Sequence, residues 1–252
     1  MRIILTLQDS LYTWVDLSLL SAVADCLTES VSFPLLPDLR IRYGRELIMI
    51  DQLFDVRFKP EEESMLILRG DFSLALGIGE GMEKGNIWVQ GNAGSGLAGE
   101  MKGGNIRVSG HVKGECCDFM RNGLVLIEGE VCGELCRCMR RGLVVVEHFR
   151  GPVIGREMLG GTVVVNKELG SDVRIGPGMN RGSMIFASGT DIPDDFYMTE
   201  KLPSAFLQLL FAELRKRDVL LPDSWQQVLF QRYRGAKSGL GKAEIFVAEK
   251  LA

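Results

Sequence analysis

The sequence predicts an all-β fold, a parallel β-helix of 19-residue coils, and three periodic observations predict it. Methionines stand at Met82, Met101, Met120, Met139, Met158 and Met179, a step of nineteen residues four times and then of twenty-one. Three residues after each comes a glycine: Gly85, Gly104, Gly123, Gly142, Gly161 and Gly182. Five and seven residues after each come two apolar columns, Ile87/Ile106/Val125/Val144/Val163/Met184 and Val89/Val108/Ile127/Val146/Val165/Phe186. Apolar residues at i and i+2, bounded by glycine, mark a half-buried strand, and the rest of a nineteen-residue unit has no room for a helix. So short a unit cannot bury its own apolar face. Successive units must therefore stack, each strand pairing in parallel with its counterpart at about 4.8 Å.

The elements follow in chain order. Residues 1–60 read as an α/β cap with an opening strand, a helix around Leu17–Leu27 and an extended stretch through Leu47, Ile48, Met49 and Ile50. Residues 61–190 hold at least six coils, and a seventh if Ser64–Gly70 opens the stack. Residues 191–252 form a C-terminal helical extension and closing strand. Asp191-Ile192-Pro193-Asp194-Asp195 breaks the pattern, and Pro203 starts a helix with Leu207, Leu210, Phe211 and Leu214 at i, i+3, i+4 and i+7. A second helix is predicted near Asp223, with Trp225, Val228 and Leu229 on one side and Gly235 as its stop, before a strand over Ala243–Val247. The open ends of a β-helix invite edge pairing, and non-repeat flanks protect them.

The ladders absorb most residues that would otherwise suggest chemistry. A small residue stands three positions before each Met (Gly79, Ala98, Cys117, Cys136, Gly155, Gly176), preceded by a larger one (Ile78, Leu97, Cys116, Leu135, Ile154, Ile175). Cys116, Cys117 and Cys136 are thus expected as small core residues, while Cys132 and Cys138 fall outside these ladders. Cys117, Cys132, Cys136 and Cys138 read C-x14-C-x3-C-x-C, which is not a zinc or iron–sulfur spacing, and His111 and His148 are the only histidines. Gly94-Ser95-Gly96-Leu97-Ala98-Gly99 spells G-x-G-x-x-G, yet a dinucleotide loop must open a helix, and here another strand follows. Asp71, Asp118 and Asp172 lie near corners, where turn chemistry alone favours Asp. No catalytic, cofactor-binding or metal-ligating residue is assigned.

Residues between the inward columns point outward. The first coils place Asn86/Trp88 and Asn105/Arg107 there, but later ones place Leu124/Leu126, Leu143/Val145, Thr162/Val164 and Ser183/Ile185. Leu124, Leu126, Leu143, Val145, Val164 and Ile185 therefore form a candidate contact face, because contiguous exposed apolar surface marks an interaction site. Two covers are open to it, the C-terminal helices or a partner subunit.

The 252 residues are 46% hydrophobic and 25% charged, with a net charge of −4 and no run of Lys or Arg. That balance fits a globular protein without a nucleic-acid or anionic-membrane footprint. No stretch is apolar enough for a membrane span, and the N-terminus reaches Gln8 and Asp9 before a signal-peptide core could form. A cytoplasmic location is expected.

The run Gly91-Asn92-Ala93-Gly94, then Gly99-Glu100-Met101-Lys102-Gly103-Gly104-Asn105-Ile106-Arg107-Val108-Ser109-Gly110, has echoes at Met139-Arg140-Arg141-Gly142 and from Met158 to Val165. It resembles the GXGXG repeat shared by the C-terminal domain of glutamate synthase and the GXGXG subunit of formylmethanofuran dehydrogenase, both right-handed β-helices. The flanks Asp51–Val56, Leu207–Leu210 and Gly239–Ile245 are similar to those of the second family. Its bacterial branch, the GXGXG subunit of the formyltransferase/hydrolase complex of methylotrophs, looks nearest. His148 and Lys167 depart from the pattern, standing where earlier coils have Gly91, Gly110 and Gly129.

The resemblance implies a non-catalytic scaffold subunit in one-carbon metabolism, serving formaldehyde oxidation through formyl groups on a methanofuran-type carrier. It implies no cofactor in this chain and metals in partner subunits of amidohydrolase-like and molybdopterin-enzyme-like type. Two alternatives stay open: a glutamate-synthase-like GXGXG scaffold, and a cysteine-based metal or redox protein. A hexapeptide-repeat acyltransferase would need coils in multiples of six residues and a catalytic histidine, and the nineteen-residue step and missing histidine column argue against it.

Overall fold

The structure is a computed structural model that describes residues 1–28, 36, 38–199, 201, 205–219, 221–235 and 241–249. It is a β-solenoid of about six turns. Strands Met65–Arg69, Asn86–Gln90, Asn105–Val108, Leu124–Val131, Leu143–Phe149, Leu159–Leu169 and Arg181–Phe186 pair in parallel, each with the next. Their register aligns the columns read from the sequence: Ile87 lies opposite Ile106, Val125 opposite Val144, and Val163 opposite Met184. Met65–Arg69 is the opening rung, as Ser64–Gly70 predicts. Shorter contacts link successive coils away from this sheet, through Phe72, Ala93, Val112 and Val131 on one line and Leu97, Cys116, Leu135 and Ile154 on another.

The methionine and glycine columns are one device. All six methionines are fully buried, and each glycine from Gly104 on lies on the methionine of the coil before it. A Cβ built on Gly104 would stand 2.4 Å from Met82 Cε and 2.7 Å from the Gly85 carbonyl oxygen, on a backbone at φ +83°. Only glycine leaves space for that methyl group and adopts that backbone without strain. The residue after each of the next two methionines donates its N–H to the preceding Met carbonyl, Lys102 to Met82 and Arg121 to Met101, both at 2.7 Å. Burying each methionine contributes roughly 1.5–3 kcal/mol.

The small-residue column has a backbone cause that the sequence pattern does not display. Gly79, Ala98, Cys117, Cys136, Gly155 and Gly176 are all left-handed, with φ from +56° to +73°. Two positions on, Gly81, Glu100, Phe119, Cys138, Glu157 and Gly178 are left-handed as well. Each coil turns its corner on this pair. Cys138 therefore belongs to a ladder after all, a correction to the sequence reading.

Segments from the flanks close the ends. Strand Arg2–Leu7 pairs in parallel with Met65–Arg69 and antiparallel with Phe54–Lys59. The amphipathic helix α1, Leu20–Leu27, buries Leu20, Val23, Ala24 and Leu27 in the same core as the coils. The first coil has no earlier methionine beneath Gly85, and the Ala24 carbonyl of α1 takes that place, 2.3 Å from a Cβ built there. Asp25 of α1 accepts the N–H groups of Glu83 and Lys84 at 3.0 and 2.9 Å, fixing the helix to that corner. At the other end, strand Lys242–Ala248 pairs in parallel with Arg181–Phe186 and antiparallel with Phe230–Gly235.

The helix predicted after Pro203 is present as α2, Ala205–Lys216; Pro203 itself lies outside the described residues. The second predicted helix is not formed. Asp223–Gln226 is a single 3-10 turn, and Phe230–Gly235 is a strand. The apolar spacing of Trp225, Val228 and Leu229 mimics a helix face, but Phe230-Gln231-Arg232-Tyr233 completes the sheet edge, and those ladder hydrogen bonds outweigh weak local preference.

Candidate functional site

The candidate contact face lies on the outward side of the main sheet, and the chain's own C-terminal segment covers it. Val145, Val164 and Ile185 are buried in a second hydrophobic cluster with Leu207, Phe211 and Leu214 of α2 and with Trp225, Phe230 and Phe246. Leu126 and Leu143 pack against its margin, and Leu124 is buried as well. Of the two occupants the sequence leaves open, the intramolecular one is found over Val145, Val164 and Ile185, while Leu126 and Leu143 stay partly exposed at its margin. Phe211, Trp225 and Phe230 form the centre of the clamp, with ring centroids 5.2–5.6 Å apart and Trp225 edge-on to Phe230. The far end of α2 is tethered where Arg217 donates to Asn105 Oδ1 at 3.3 Å. Asn105 in turn donates to Asn86 at 2.8 Å.

Beside the end of α2 is a cleft of about 290 Å³, bordered by Arg107, Leu126, Glu128, Val145, Glu147 and Asp218. Arg107 Nε donates to Glu128 at 2.6 Å, and Lys167 donates to Glu147 at 2.5 Å. Both carboxylates are thus engaged in ion pairs between coils. The Arg107 guanidinium also lies 5.8 Å from the Trp88 ring centroid.

The cysteines divide as the ladders dictate. Cys116, Cys117 and Cys136 are buried, Cys132 is exposed and Cys138 half-buried. The hydrogen bond with Cys117, then burial, pushes the Cys116 thiol well above its ordinary range. For Cys117 the bond with Cys116 acts downward, but the Cys136 bond and burial outweigh it and the thiol is again raised well. Burial raises Cys136. Burial, then Glu130, raises Cys132, and burial, then Glu157, raises Cys138. Upward shifts favour the neutral thiol over the thiolate that nucleophilic and metal-binding chemistry requires.

The histidines occupy different coils. His111 Nδ1 accepts the Glu130 N–H at 3.0 Å, and His148 Nδ1 lies 3.7 Å from Glu168. Among the described residues no group of three or more His, Cys, Asp or Glu side chains is placed to hold a metal ion. Leu97 and Ala98 of the G-x-G-x-x-G run are buried in the coil core, and the next strand is Asn105–Val108. Asp71 is a turn residue, bonded to the Ser73 hydroxyl at 2.5 Å and the Ser73 amide at 3.0 Å. No helix among the described residues is long and apolar enough to cross a membrane.

The chain can be compared with solved structures from end to end. A chain in the crystal structure of the formyltransferase/hydrolase complex (FhcABCD) from Methylorubrum extorquens, in complex with methylofuran, matches with a TM-score of 0.75 and 23% identity. The match covers 98% of this chain and 100% of that one. The two chains share a fold. The likeness extends beyond the coils to the flanking segments that close the ends, since nearly the whole length of both chains is included. No protein-family model matches the sequence, and no curated protein matches it.

Proposed function

We propose that the protein is a non-catalytic structural subunit of a formyltransferase/hydrolase complex, serving one-carbon metabolism in the cytoplasm by supporting partners that handle formyl groups on a methanofuran-type carrier. The end-to-end fold match to a chain of such a complex carries the reading. The internal economy of the coils supports it. Carboxylates of Glu128, Glu130, Glu134 and Glu147 are engaged by Arg107, Arg150, Arg156 and Lys167, which brace neighbouring coils, and the thiols are raised toward their neutral form. In this reading the metals and the reactive groups belong to amidohydrolase-like and molybdopterin-enzyme-like partners.

Affinity isolation of the tagged chain from its own cells tests this. The reading expects stoichiometric co-isolation of further subunits, formyl transfer to or from a methanofuran-type carrier by the assembly, and none by the chain alone. Recovery of the chain by itself contradicts it, and recovery with glutaminase and flavin–iron–sulfur partners assigns it instead to a glutamate-synthase-like assembly.

A further inference from the structure

The second position of the left-handed pair carries, in one coil, a residue that the fold does not require. Phe119 occupies a column shared with Gly81, Glu100, Cys138, Glu157 and Gly178, all at positive φ. A bulky aromatic residue in left-handed backbone is an outlier; the corner imposes the backbone on every coil, but nothing in it calls for an aromatic side chain. Phe119 is left 39% exposed there. Its ring is instead held in place by a cation: the Arg137 guanidinium lies 4.9 Å from the ring centroid and is pinned by its 2.8 Å ion pair with Asp118. Farther along the same edge, Leu159 is 41% exposed.

Two uncompensated cations stand near this corner. Within three residues of Met101, Met120, Met139 and Met158 stand six cations, Lys102, Arg121, Arg137, Arg140, Arg141 and Arg156. Four of them are already engaged, Lys102 by Glu83, Arg121 by Glu100, Arg137 by Asp118 and Arg156 by Glu134, which leaves Arg140 and Arg141 as the uncompensated pair. Arg121 reaches Glu100 at 3.3 Å, but Arg140 and Arg141 are exposed and make no ion pair among the described residues. Rung spacing stacks Lys102, Arg121 and Arg140 in one column, where Glu83 and Glu100 compensate the first two and Arg140 has no carboxylate among the described residues. An exposed aromatic residue carrying one arginine, with two uncompensated arginines on the next coil, has the composition of an interface hot spot.

We propose that this corner, centred on Phe119 and flanked by Arg121, Arg137, Arg140 and Arg141, docks an acidic surface of a partner protein, with Phe119 entering an apolar pocket among the partner's carboxylates. This rests on the reading of the chain as a subunit and identifies the face it uses. Charge complementarity selects the occupant: the exposed guanidinium groups of Arg140 and Arg141 have no carboxylate of this chain and call for carboxylates from outside, while the exposed Phe119 ring calls for an apolar pocket, a pairing that a folded protein surface supplies.

The test compares Phe119→Gly, the double variant Arg140→Glu/Arg141→Glu and a control, Lys216→Glu on α2, each tagged and isolated from the native cells. Phe119→Gly is expected to fold, because Gly81 and Gly178 hold the same column position, and its Tm should equal or exceed wild type. Both corner variants should recover at least about tenfold less partner, the loss expected of a hot-spot residue, while the control assembles normally. Corner variants that assemble like wild type overturn the proposal and leave the subunit reading intact. Wild type that brings down no partner overturns both.

Discussion

The outward strand face of the late coils and the corner around Phe119 belong to the same stack but are finished in opposite ways. On the strand face, Val145, Val164 and Ile185 would leave a broad apolar patch, and α2 with Trp225 and Phe230 covers it. At the corner, Phe119 and Leu159 remain exposed among arginines. Removing apolar area from water at roughly 25 cal/mol per Å² favours an intramolecular cover wherever the chain can supply one. A surface left uncovered on the same stack is therefore informative, and its chemistry differs from that of the covered face.

The largest expected effect comes from the ladder beneath both surfaces. Gly104→Ala places a methyl group against Met82 and the Gly85 carbonyl on a positive-φ backbone, and overpacking together with strain should cost about 4 kcal/mol in urea unfolding. A loss of that size in a single urea transition, coincident by fluorescence and circular dichroism, shows that the covered face and the open corner stand on one cooperative unit. Next, Phe211→Ala removes the centre of the clamp and should cost about 3 kcal/mol. Its signature separates the two surfaces: a hydrophobic dye should bind the opened strand face while the strand signal in circular dichroism persists.

A smaller effect tests the corner backbone. Cys136 has φ +62° and Ala98 occupies the same column at +56°. Cys136→Ala should therefore cost about 1 kcal/mol or less, while the β-branched Cys136→Val should cost about 2 kcal/mol. The smallest is a pH effect. Burial, opposed by Arg137, holds the Asp118 carboxyl above its ordinary range. A raised carboxyl disfavours the folded state once it is ionised, so its favourable contribution is present at low pH and is lost as pH rises through the folded value. The stability of wild type relative to Asp118→Asn should increase as pH falls from neutral through that value, measured by urea midpoints.

What the sequence revealed follows from what repeats. Met82 to Met179, the glycines three residues on and the paired strand columns each answer a demand made once per coil, so the same residue type recurs and the coil fold can be read without an alignment. Demands met only once leave no such pattern. The strand at Phe230–Gly235 looked like the end of a helix because Trp225, Val228 and Leu229 happen to match its spacing. The placement of Cys138 stayed hidden because its column holds Gly, Glu, Phe and Cys, residues alike only in their backbone angle. The six residues of the predicted contact face call for a cover, yet choosing between a distant helix and a partner requires the fold. Phe119 carries a single signal in the sequence, a lone aromatic in a column otherwise of Gly, Glu and Cys.

Hydrogen–deuterium exchange of the chain alone and within its isolated native assembly tests the contrast between the two surfaces most directly. The account predicts added protection in the assembly around Phe119 and Arg140, and no change over Leu143–Phe149 and Arg181–Phe186, which α2 already shields. Added protection on those strands, with none at the corner, would contradict it.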